Sequence, residues 1–181
     1  KKALPTTKVQ LCLEKPSEVF QCIQDFNKID STYIVDGDID VFIALDCEKS
    51  RLGEAEEIFA KAKKRINIDH HVSNKQGCGD INYVNPEMSS TAELVYELMD
   101  KQYIDQEIAK ALYIGMIHDT GIFQYSNTSP NTLRTAAELI EYKFDFSGLI
   151  DETFYEKTYT QNQLLGRALL ESIMFMDGKC I

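Results

Sequence analysis

The sequence has little positive charge and no long uncharged apolar run. Its 181 residues carry 19 Lys and Arg against 29 Asp and Glu, a formal net charge of −10. A protein that grips long duplex nucleic acid needs excess positive charge to displace counterions, so the composition argues against that class. No stretch approaches the ~18 uncharged residues that a membrane-spanning helix requires. A small anionic substrate held through metal ions stays compatible with the acidic balance, because bound cations reverse the local field.

Paired cysteine motifs are also missing. The five cysteines have irregular spacings and include no Cys-X-X-Cys pair: Cys12, Cys22, Cys47, Cys78 and Cys180. This pattern argues against a zinc ribbon and against a disulfide framework. Residues 1–5 carry charge but no apolar signal core, so nothing in them indicates secretion. We therefore expect a cytoplasmic protein with reduced thiols and a length suited to one domain.

Short apolar runs alternate with amphipathic stretches along the chain. Residues 9–13, 41–45 and 65–68 are predicted strands, and the second is apolar at every position, which predicts that both of its faces are covered. Between the last two strands, helical spacing of apolar residues predicts a helix with one buried side: Ala55, Ile58, Phe59 and Ala62. This alternation predicts an α/β domain with a mainly parallel sheet flanked by helices.

Several later helices begin with recognisable capping residues. Ser90 and Glu93 form a capping-box pattern, Asp105 precedes a second amphipathic stretch, and Ser129 is followed by Pro130 at a first helical position. A last helix is predicted over about residues 161–176. Its expected apolar face consists of Leu164, Leu165, Ala168, Leu169 and Ile173.

Polar side chains follow two of the predicted strands. Asp46 comes directly after residues 41–45, and Asp69, His70 and His71 follow the third strand. In a parallel sheet both groups reach the carboxyl edge, where open α/β folds bind ligands. Residues 118–121 form a further polar cluster that ends the helix starting near Asp105. Carboxylates and imidazoles that converge on one edge suit Mn²⁺ or Mg²⁺, with Zn²⁺ as an alternative.

Each of these residues also has a structural interpretation. An aspartate after a strand is a common turn or cap residue, so Asp46 alone would be a weak metal candidate. Side chains of neighbouring residues point in different directions, which allows one of His70 and His71 to bind metal while the other does separate work. The alternative is a pair of partly buried, hydrogen-bonded histidines. His118 is better explained as a packing or supporting residue than as a ligand.

The segment Asn-Ile-Asp-His-His-Val-Ser-Asn at residues 67–74 resembles the signature of the DHH phosphoesterase family. Asp46-Cys47 with Arg-Leu-Gly at residues 51–53 resembles the family's second motif, and residues 89–94 and 115–123 resemble its later motifs. Two further stretches follow as in the nanoRNase-type branch of oligoribonucleases and 3'-phosphoadenosine-5'-phosphate phosphatases: residues 127–132 and 142–146. The resemblance covers essentially the whole chain, in motif order.

The resemblance implies metal-ligating and catalytic roles. Asp46, His70 and Asp119 would be metal ligands, with Asp46 bridging two ions. The implied cofactor is Mn²⁺, two ions in the complete protein, with Mg²⁺ as the alternative. His71 would donate a hydrogen bond to the substrate phosphate, and Asp69 would orient the histidines. The implied reaction is in-line hydrolysis of a phosphoester by a water between the two ions, without a covalent enzyme intermediate.

Four further residues have weaker implied roles. Arg51 and Asn74 are candidate phosphate-binding residues, although we prefer for both a structural role in fixing loops. Thr91 and Thr120 are expected to cap or buttress. The implied substrates are short oligoribonucleotides and 3'-phosphoadenosine-5'-phosphate, cleaved to nucleoside monophosphates, and an acidic chain agrees with short substrates in a cleft. The resemblance also allows a homodimer.

Two features of the family have no counterpart in this sequence. The family opens with a strand that leads to a histidine and an aspartate-containing loop, and these supply the remaining metal ligands. Residues 36–38, Asp-Gly-Asp, imitate those aspartates, but no histidine precedes them, so we assign them to a solvated turn. We also expect the family's second, substrate-binding domain (DHHA1-type) to lie outside residues 1–181. We therefore expect residues 1–150 to form a DHH catalytic domain without its first motif, residues 151–181 to form a helical connector, and this chain to be nearly inactive by itself.

Three other functions compete with this interpretation. Cyclic-dinucleotide phosphodiesterases, RecJ-like exonucleases and family II pyrophosphatases share several of the motifs, although residues 142–146 and the acidic charge favour the nanoRNase branch. A non-catalytic module could bind a nucleotide or a partner without cutting it. A plain α/β scaffold is disfavoured, because independent caps and turns would not place four matching clusters in order.

Overall fold

The computed structural model describes residues 4–173, and within that range three parallel strands form one sheet flanked by helices. The strands are β1 (Val41–Leu45), β2 (Lys64–Asp69) and β3 (Ile81–Val84). The helices are α1 (Glu56–Lys61), α2 (Thr91–Leu98), α3 (Gln106–Asp119), α4 (Pro130–Ile140), α5 (Phe146–Ile150) and α6 (Tyr159–Glu171). Single 3-10 turns join these elements, and a π-helical turn (Asp151–Tyr155) follows α5. The predicted α/β class with a parallel sheet is confirmed.

β2 lies at the centre of the sheet and pairs in parallel with β1 on one side and β3 on the other. Ile66 on β2 is in register with Ile43 on β1 and with Ile81 on β3. The strand predicted at residues 65–68 is therefore present and extends one residue further at each end. β3 was not predicted, because its four residues, Ile-Asn-Tyr-Val, form neither a continuous apolar run nor a clear alternation of apolar and polar residues.

The strand predicted at residues 9–13 is wrong. Of these residues only Cys12 makes a strand-like contact, an isolated parallel bridge with Asp30. The apolar side chains of Val9, Leu11 and Leu13 are 48–60% exposed. A strand needs a neighbouring backbone ladder, and no strand among the described residues lies beside this segment, so its apolar run does not become a strand.

β1 is a strand, but the prediction that both of its faces are covered is wrong for the described residues. Ala44 is 4% exposed in a small core with Phe59 of α1, whereas Val41, Ile43 and Leu45 on the opposite face are 48–54% exposed. The physical reason is that α1 packs on one face of β1, while α2 packs on α3 and meets the sheet mainly at β2. β1 is also an edge strand here, since its only strand partner among residues 4–173 is β2.

The helix starts predicted from capping residues are confirmed. The Ser90 side chain accepts a hydrogen bond from the Glu93 backbone N–H ahead of α2. Asp105 caps α3 through the Ile108 backbone N–H, and Ser129 caps α4. The capping box predicted at Ser90 is only half formed, because the Glu93 carboxylate has other partners. These caps fix where the helices begin, and the start of α2 lies at the polar edge of the sheet, where Thr91 contacts Asp46.

The larger core lies among α2, α3, α4 and α5. Met116 and Ile117 of α3, in the middle of this core, have no exposed surface. Gly115 lets α2 approach α3 closely, because a Cβ atom at this position would lie 2.8 Å from the Ala92 Cβ. This contact brings the start of α2 to the end of α3, where Asp119 lies. The larger core therefore supports that end of α3.

α6 has an apolar face that the described residues leave exposed. The helix starts after the cap residue Thr158, two residues before the predicted start, and residues 174–176 of the prediction lie outside the described residues. Leu164, Leu165 and Leu169 are 46–71% exposed. No helix within residues 4–173 has both the length and the hydropathy needed to span a membrane. The boundary expected at residue 150 stays a prediction.

Truncation of a fully buried leucine is expected to cost far more than the same change on the outer face of its helix. Leu139 of α4 has no exposed surface, whereas Leu133 of the same helix is 51% exposed. We expect Leu139→Ala to lower the free energy of unfolding by about 2–5 kcal/mol. Leu133→Ala is the matched control and should change it by less than about 0.5 kcal/mol. Equal losses in urea unfolding followed by circular dichroism would show that α4 does not pack in this orientation.

Candidate metal centre

Asp46 lies directly beyond β1 in a left-handed backbone conformation, with φ of 57°. This conformation costs a residue other than glycine about 1–2 kcal/mol, although aspartate tolerates it better than most. The Asp46 N–H donates to the Ile68 carbonyl at 3.0 Å, which keeps the turn attached to the end of β2. The Thr91 hydroxyl donates to Asp46 Oδ1 at 2.7 Å. Thr91 therefore buttresses the carboxylate, which is one of the two roles, capping or buttressing, that the resemblance implies for it.

Asp69, fully buried at the end of β2, organises both histidines. Its Oδ1 accepts hydrogen bonds from the His70 N–H at 2.7 Å, the His71 N–H at 3.1 Å and the His71 ring Nδ1 at 2.7 Å. Burial acts to raise the pKa of Asp69, but hydrogen bonds from the His71 ring and the Asn74 amide outweigh it and lower the pKa. The ring hydrogen bond to Asp69 in turn raises the pKa of His71.

His70 directs its Nε2 atom between two carboxylates. Its Nδ1 atom lies 3.2 Å from the Met88 carbonyl, which can only accept, so in this contact Nδ1 carries the hydrogen. Nε2 lies 3.5 Å from Asp46 Oδ1 and 3.6 Å from Asp119 Oδ2. With Nδ1 protonated, a neutral His70 points the Nε2 lone pair at two anionic groups. That arrangement is repulsive by itself and becomes favourable when a cation lies between the three atoms.

The separations around His70 Nε2 fit a shared cation. A charged hydrogen bond from imidazolium to carboxylate is usually about 2.7–2.9 Å long, shorter than the contacts to Asp46 and Asp119. Ligand bonds of about 2.0–2.3 Å place neighbouring donor atoms about 3–3.7 Å apart, which matches those contacts. Asp46, His70 and His71 also each offer a ligand atom within 4.8 Å of the other two. The donor set thus suits a divalent cation.

Asp119, the third predicted ligand, is the last residue of α3 and is half-buried. Burial raises the pKa of its carboxyl, and the nearby Asp46 raises it further, while His70 and His71 act in the opposite direction. The structure thus places carboxylate oxygens of Asp46 and Asp119 each within 3.6 Å of His70 Nε2, whereas the group whose ligand atoms all lie within 4.8 Å of one another consists of Asp46, His70 and His71. His71 lies in the same group but its Nδ1 is engaged by Asp69, which leaves Nε2 for another ligand.

A left-handed turn fixes the chain immediately after Asp119. Gly121, Ile122 and Phe123 have φ of 55°, 55° and 63° in succession. Such a conformation is unfavourable for a β-branched residue, so the surroundings must impose it. Thr120 does so in part, because its buried hydroxyl donates to the Met116 carbonyl at 2.6 Å and accepts from the Phe123 N–H at 3.0 Å. The buttressing role expected of Thr120 is therefore visible in its contacts.

Asn67 is a residue of this site that the sequence analysis missed. It is completely buried on β2, and its amide donates to the carbonyls of Ala44 at 3.2 Å and Cys47 at 3.0 Å. Its side-chain oxygen accepts from the Asn74 amide at 2.9 Å and from the Cys78 N–H at 3.2 Å. Asn67 therefore ties the end of β1 to the loop after the histidines. The available signal was a single amide between two isoleucines, Ile66 and Ile68, within the strand.

The two candidate phosphate-binding residues lie in different settings. Asn74 is 7% exposed, and its amide donates to both Asn67 and Asp69, which is the loop-fixing role preferred for it. Arg51 is exposed in the 3-10 turn Lys49–Arg51. Its charge opposes the larger effect of Asp69 on the pKa of His71, so Arg51 lies close enough to act electrostatically on the centre.

Two sequence features remain outside the centre. The His118 ring packs against aromatic rings and its Nε2 lies 3.2 Å from the Thr153 hydroxyl, while burial lowers its pKa, so it is a packing residue. In the Asp-Gly-Asp turn, the exposed Asp38 pairs with Lys63 at 3.2 Å. This turn is solvated, as predicted, and contributes nothing to the centre.

Fold and site together define a class: a parallel α/β domain whose carboxyl edge carries an aspartate–histidine cluster suited to a divalent cation. The model of the DHH family, N-terminal domain, matches residues 2–116. The chain therefore belongs to the DHH family.

Relatives with more specific names match parts of the chain. The bifunctional oligoribonuclease and PAP phosphatase NrnA of Thermus thermophilus is 40% identical over 116 residues, which are 62% of this chain and 35% of that protein. The protein of the same name from Bacillus subtilis is 35% identical over 104 residues, 55% of this chain and 33% of its own length. The chain thus spans about a third of the length of these curated relatives.

A solved structure shows the same fold. The exopolyphosphatase-related protein from Bacteroides fragilis superposes with a TM-score of 0.83 at 23% identity, covering 97% of this chain and 55% of that chain. At this identity the likeness concerns the fold alone.

Removal of the Asp119 carboxylate is expected to weaken cation binding. Asp119→Asn takes one anionic group from the cluster around His70 Nε2, so we expect the Kd for Mn²⁺ to rise about tenfold or more. Asp38→Asn makes the same chemical change in the solvated turn and is the matched control. Isothermal titration with Mn²⁺ measures both. A Kd for Asp119→Asn within twofold of the control would exclude Asp119 as a ligand.

The same substitution is expected to stabilise the metal-free chain at neutral pH. The folded pKa of Asp119 lies above its ordinary value of about 3.9, so the folded state binds the proton more tightly and stability falls as pH rises through these values. Because Asp119→Asn removes the titratable carboxyl, the variant does not lose this stability as the pH rises. Because Asp119 is partly solvated, the gain should stay below about 1 kcal/mol. Urea unfolding in chelator should show the gain at pH 7 and little difference near pH 4, and the opposite order would contradict the assignment.

Proposed function

We propose that this chain is part of a metal-dependent phosphoesterase that hydrolyses short oligoribonucleotides and 3'-phosphoadenosine-5'-phosphate to nucleoside monophosphates. The observation that carries the proposal is the position of His70 Nε2 between the carboxylates of Asp46 and Asp119. Two findings support a phosphoester substrate: the chain belongs to the DHH family, and it has relatives named oligoribonuclease and PAP phosphatase. The net charge of −10 favours short substrates over long duplex nucleic acid.

The residues of the centre divide the work of such a hydrolysis. A divalent cation held by Asp46, His70 and Asp119 would supply the positive charge that stabilises the attacking and phosphate oxygens. His71 would donate its Nε2–H to the substrate phosphate, and the raised pKa of His71 favours the form that carries this proton. The hydrogen bond strengthens as negative charge builds in the transition state. Asp69 keeps the ring in place through Nδ1.

We further propose Mn²⁺ as the cation, two ions in the complete protein, with Mg²⁺ as the alternative. An imidazole among the carboxylates favours Mn²⁺ over Mg²⁺, because Mg²⁺ is the harder cation and prefers oxygen ligands. Residues 151–181 are proposed as a connector to a further substrate-binding domain, and the complete protein as a cytoplasmic enzyme. The exposed apolar face of α6 supports the connector, since such a face needs a partner to cover it.

A nucleotide-binding module without hydrolysis is the second candidate. The observation that favours it is that the cluster in residues 4–173 gathers ligands around the single nitrogen of His70. Hydrolysis by two ions needs a second ligand set, so a chain with this cluster alone would bind a nucleotide phosphate more readily than cut it.

The two candidates are separated by activity measurements on this chain and on the full-length protein. We expect the full-length protein to release nucleoside monophosphates from short RNA and 3'-phosphoadenosine-5'-phosphate with Mn²⁺, and this chain to be slower by orders of magnitude. His71→Asn in the full-length protein should lower kcat by about 10²–10³-fold with little change in Mn²⁺ affinity. Asp38→Asn is the control and should retain kcat. A full-length protein that binds the nucleotides but releases no product would establish the binding module instead.

A further inference from the structure

Glu93 is a completely buried carboxylate on α2 whose hydrogen-bond donors are all neutral groups. Burial of a carboxylate without a cationic partner is costly, and such residues are retained where they fix a geometry. We infer that Glu93 is a positioning residue for the metal centre: it anchors the segment of residues 88–91, which contacts Asp46 and His70. The inference rests on the proposed function, because it concerns the same centre.

Four hydrogen bonds hold the Glu93 carboxylate. Oε2 accepts from the Ser89 N–H at 3.2 Å, the Ser89 hydroxyl at 2.5 Å and the Thr132 hydroxyl at 3.0 Å. Oε1 accepts from the Asn131 amide at 3.1 Å. The donors come from the residues just before α2 and from the first turn of α4. The carboxylate therefore joins the starts of two helices, and the partial positive charge of helix N-termini compensates for the missing counter-ion.

The anchored segment contacts two of the predicted ligands directly. The Met88 carbonyl lies 3.2 Å from His70 Nδ1, which sets the rotation of the ring and so the direction of Nε2. Three residues further on, the Thr91 hydroxyl donates to Asp46 Oδ1 at 2.7 Å. Glu93 binds Ser89, which lies between these two contacts in the chain. A shift of this segment would therefore move both ligands together.

The third predicted ligand is linked to the same segment through Asn127. The Asn127 amide donates to the Ser89 carbonyl at 2.9 Å and to the Asp119 carbonyl at 3.2 Å. Ser89 is itself completely buried and bonds to Glu93 through its N–H and its hydroxyl. The position of Asp119 relative to His70 thus depends on the segment that Glu93 holds.

The expected effect of Glu93→Gln follows from hydrogen-bond chemistry. Glutamine has nearly the same shape, but its NH₂ group faces donors where the carboxylate accepted from them, so at least one contact to Ser89, Asn131 or Thr132 is lost. We expect the Kd for Mn²⁺ to rise about tenfold, as for other residues that orient metal ligands. Ser89→Ala removes one donor and leaves the carboxylate, so it should act in the same direction with a smaller effect. If Glu93→Gln does not fold, the Kd of Ser89→Ala for Mn²⁺ still tests the inference.

Tyr96→Phe is the matched control for a purely structural effect. Tyr96 lies on the same helix, is 7% exposed and donates to Glu138 at 2.6 Å, on a contact that does not involve the centre. Its loss should lower the melting temperature but leave the Kd for Mn²⁺ unchanged.

A metal-free measurement separates this inference from the proposed function. Long-range ¹H–¹⁵N NMR of the His70 ring should show the hydrogen on Nδ1 in the wild-type chain and in Tyr96→Phe. In Glu93→Gln and Ser89→Ala we expect the ring nitrogen signals to shift towards a mixture of tautomers. If the chain bound no Mn²⁺, the proposed metal centre would fail while this NMR comparison still decided the role of Glu93. Wild-type ring signals and wild-type Kd in both variants would overturn the inference.

Discussion

The arrangement of the site depends on the burial of the Asp69 carboxylate at the end of the central strand. One of its oxygens accepts from two successive backbone N–H groups and from the His71 ring. These bonds hold His70 and His71 at fixed directions although neither histidine is in regular secondary structure. A buried carboxylate is tolerated in this position only because it accepts hydrogen bonds from donors inside the protein. The two histidines of the metal centre are thus held in place by the buried carboxylate of Asp69.

A second interior carboxylate, Glu93, supports the same cluster from the opposite side. Asp69 acts on the loop after β2, and Glu93 acts on the segment before α2, so His70 lies between two hydrogen-bonded anchors. Buried polar networks of this kind add little net stability but specify one geometry, since each displaced group would be left unsatisfied. Among the described residues, Thr128 has the one buried side-chain oxygen without a partner, so the network around the centre is complete.

The parts of the fold that the sequence predicted are those with local causes. Ser90, Asp105 and Ser129 cap helices because a side-chain oxygen reaches N–H groups two or three residues away. The predictions that were wrong concern which segments pair as strands and which strand faces are covered by helices. Residues 9–13 have the composition of a strand but no neighbouring ladder, and β1 is apolar on both faces although α1 covers only one of them. Such outcomes depend on which elements lie alongside, and a window of the sequence does not contain that information.

For the site, the sequence alone determined the candidates for the chemistry, because the order of the polar clusters and the resemblance of their motifs pointed to Asp46, His70, His71 and Asp119. Tertiary structure decided what no spacing could reveal. It set the 3.5–3.6 Å contacts of His70 with the carboxylate that follows β1 and the carboxylate that ends α3, and the burial of Asn67 and Glu93 as their support. The reason is physical: residues separated by tens of positions meet only after the sheet has formed and α2 has packed closely on α3 at Gly115.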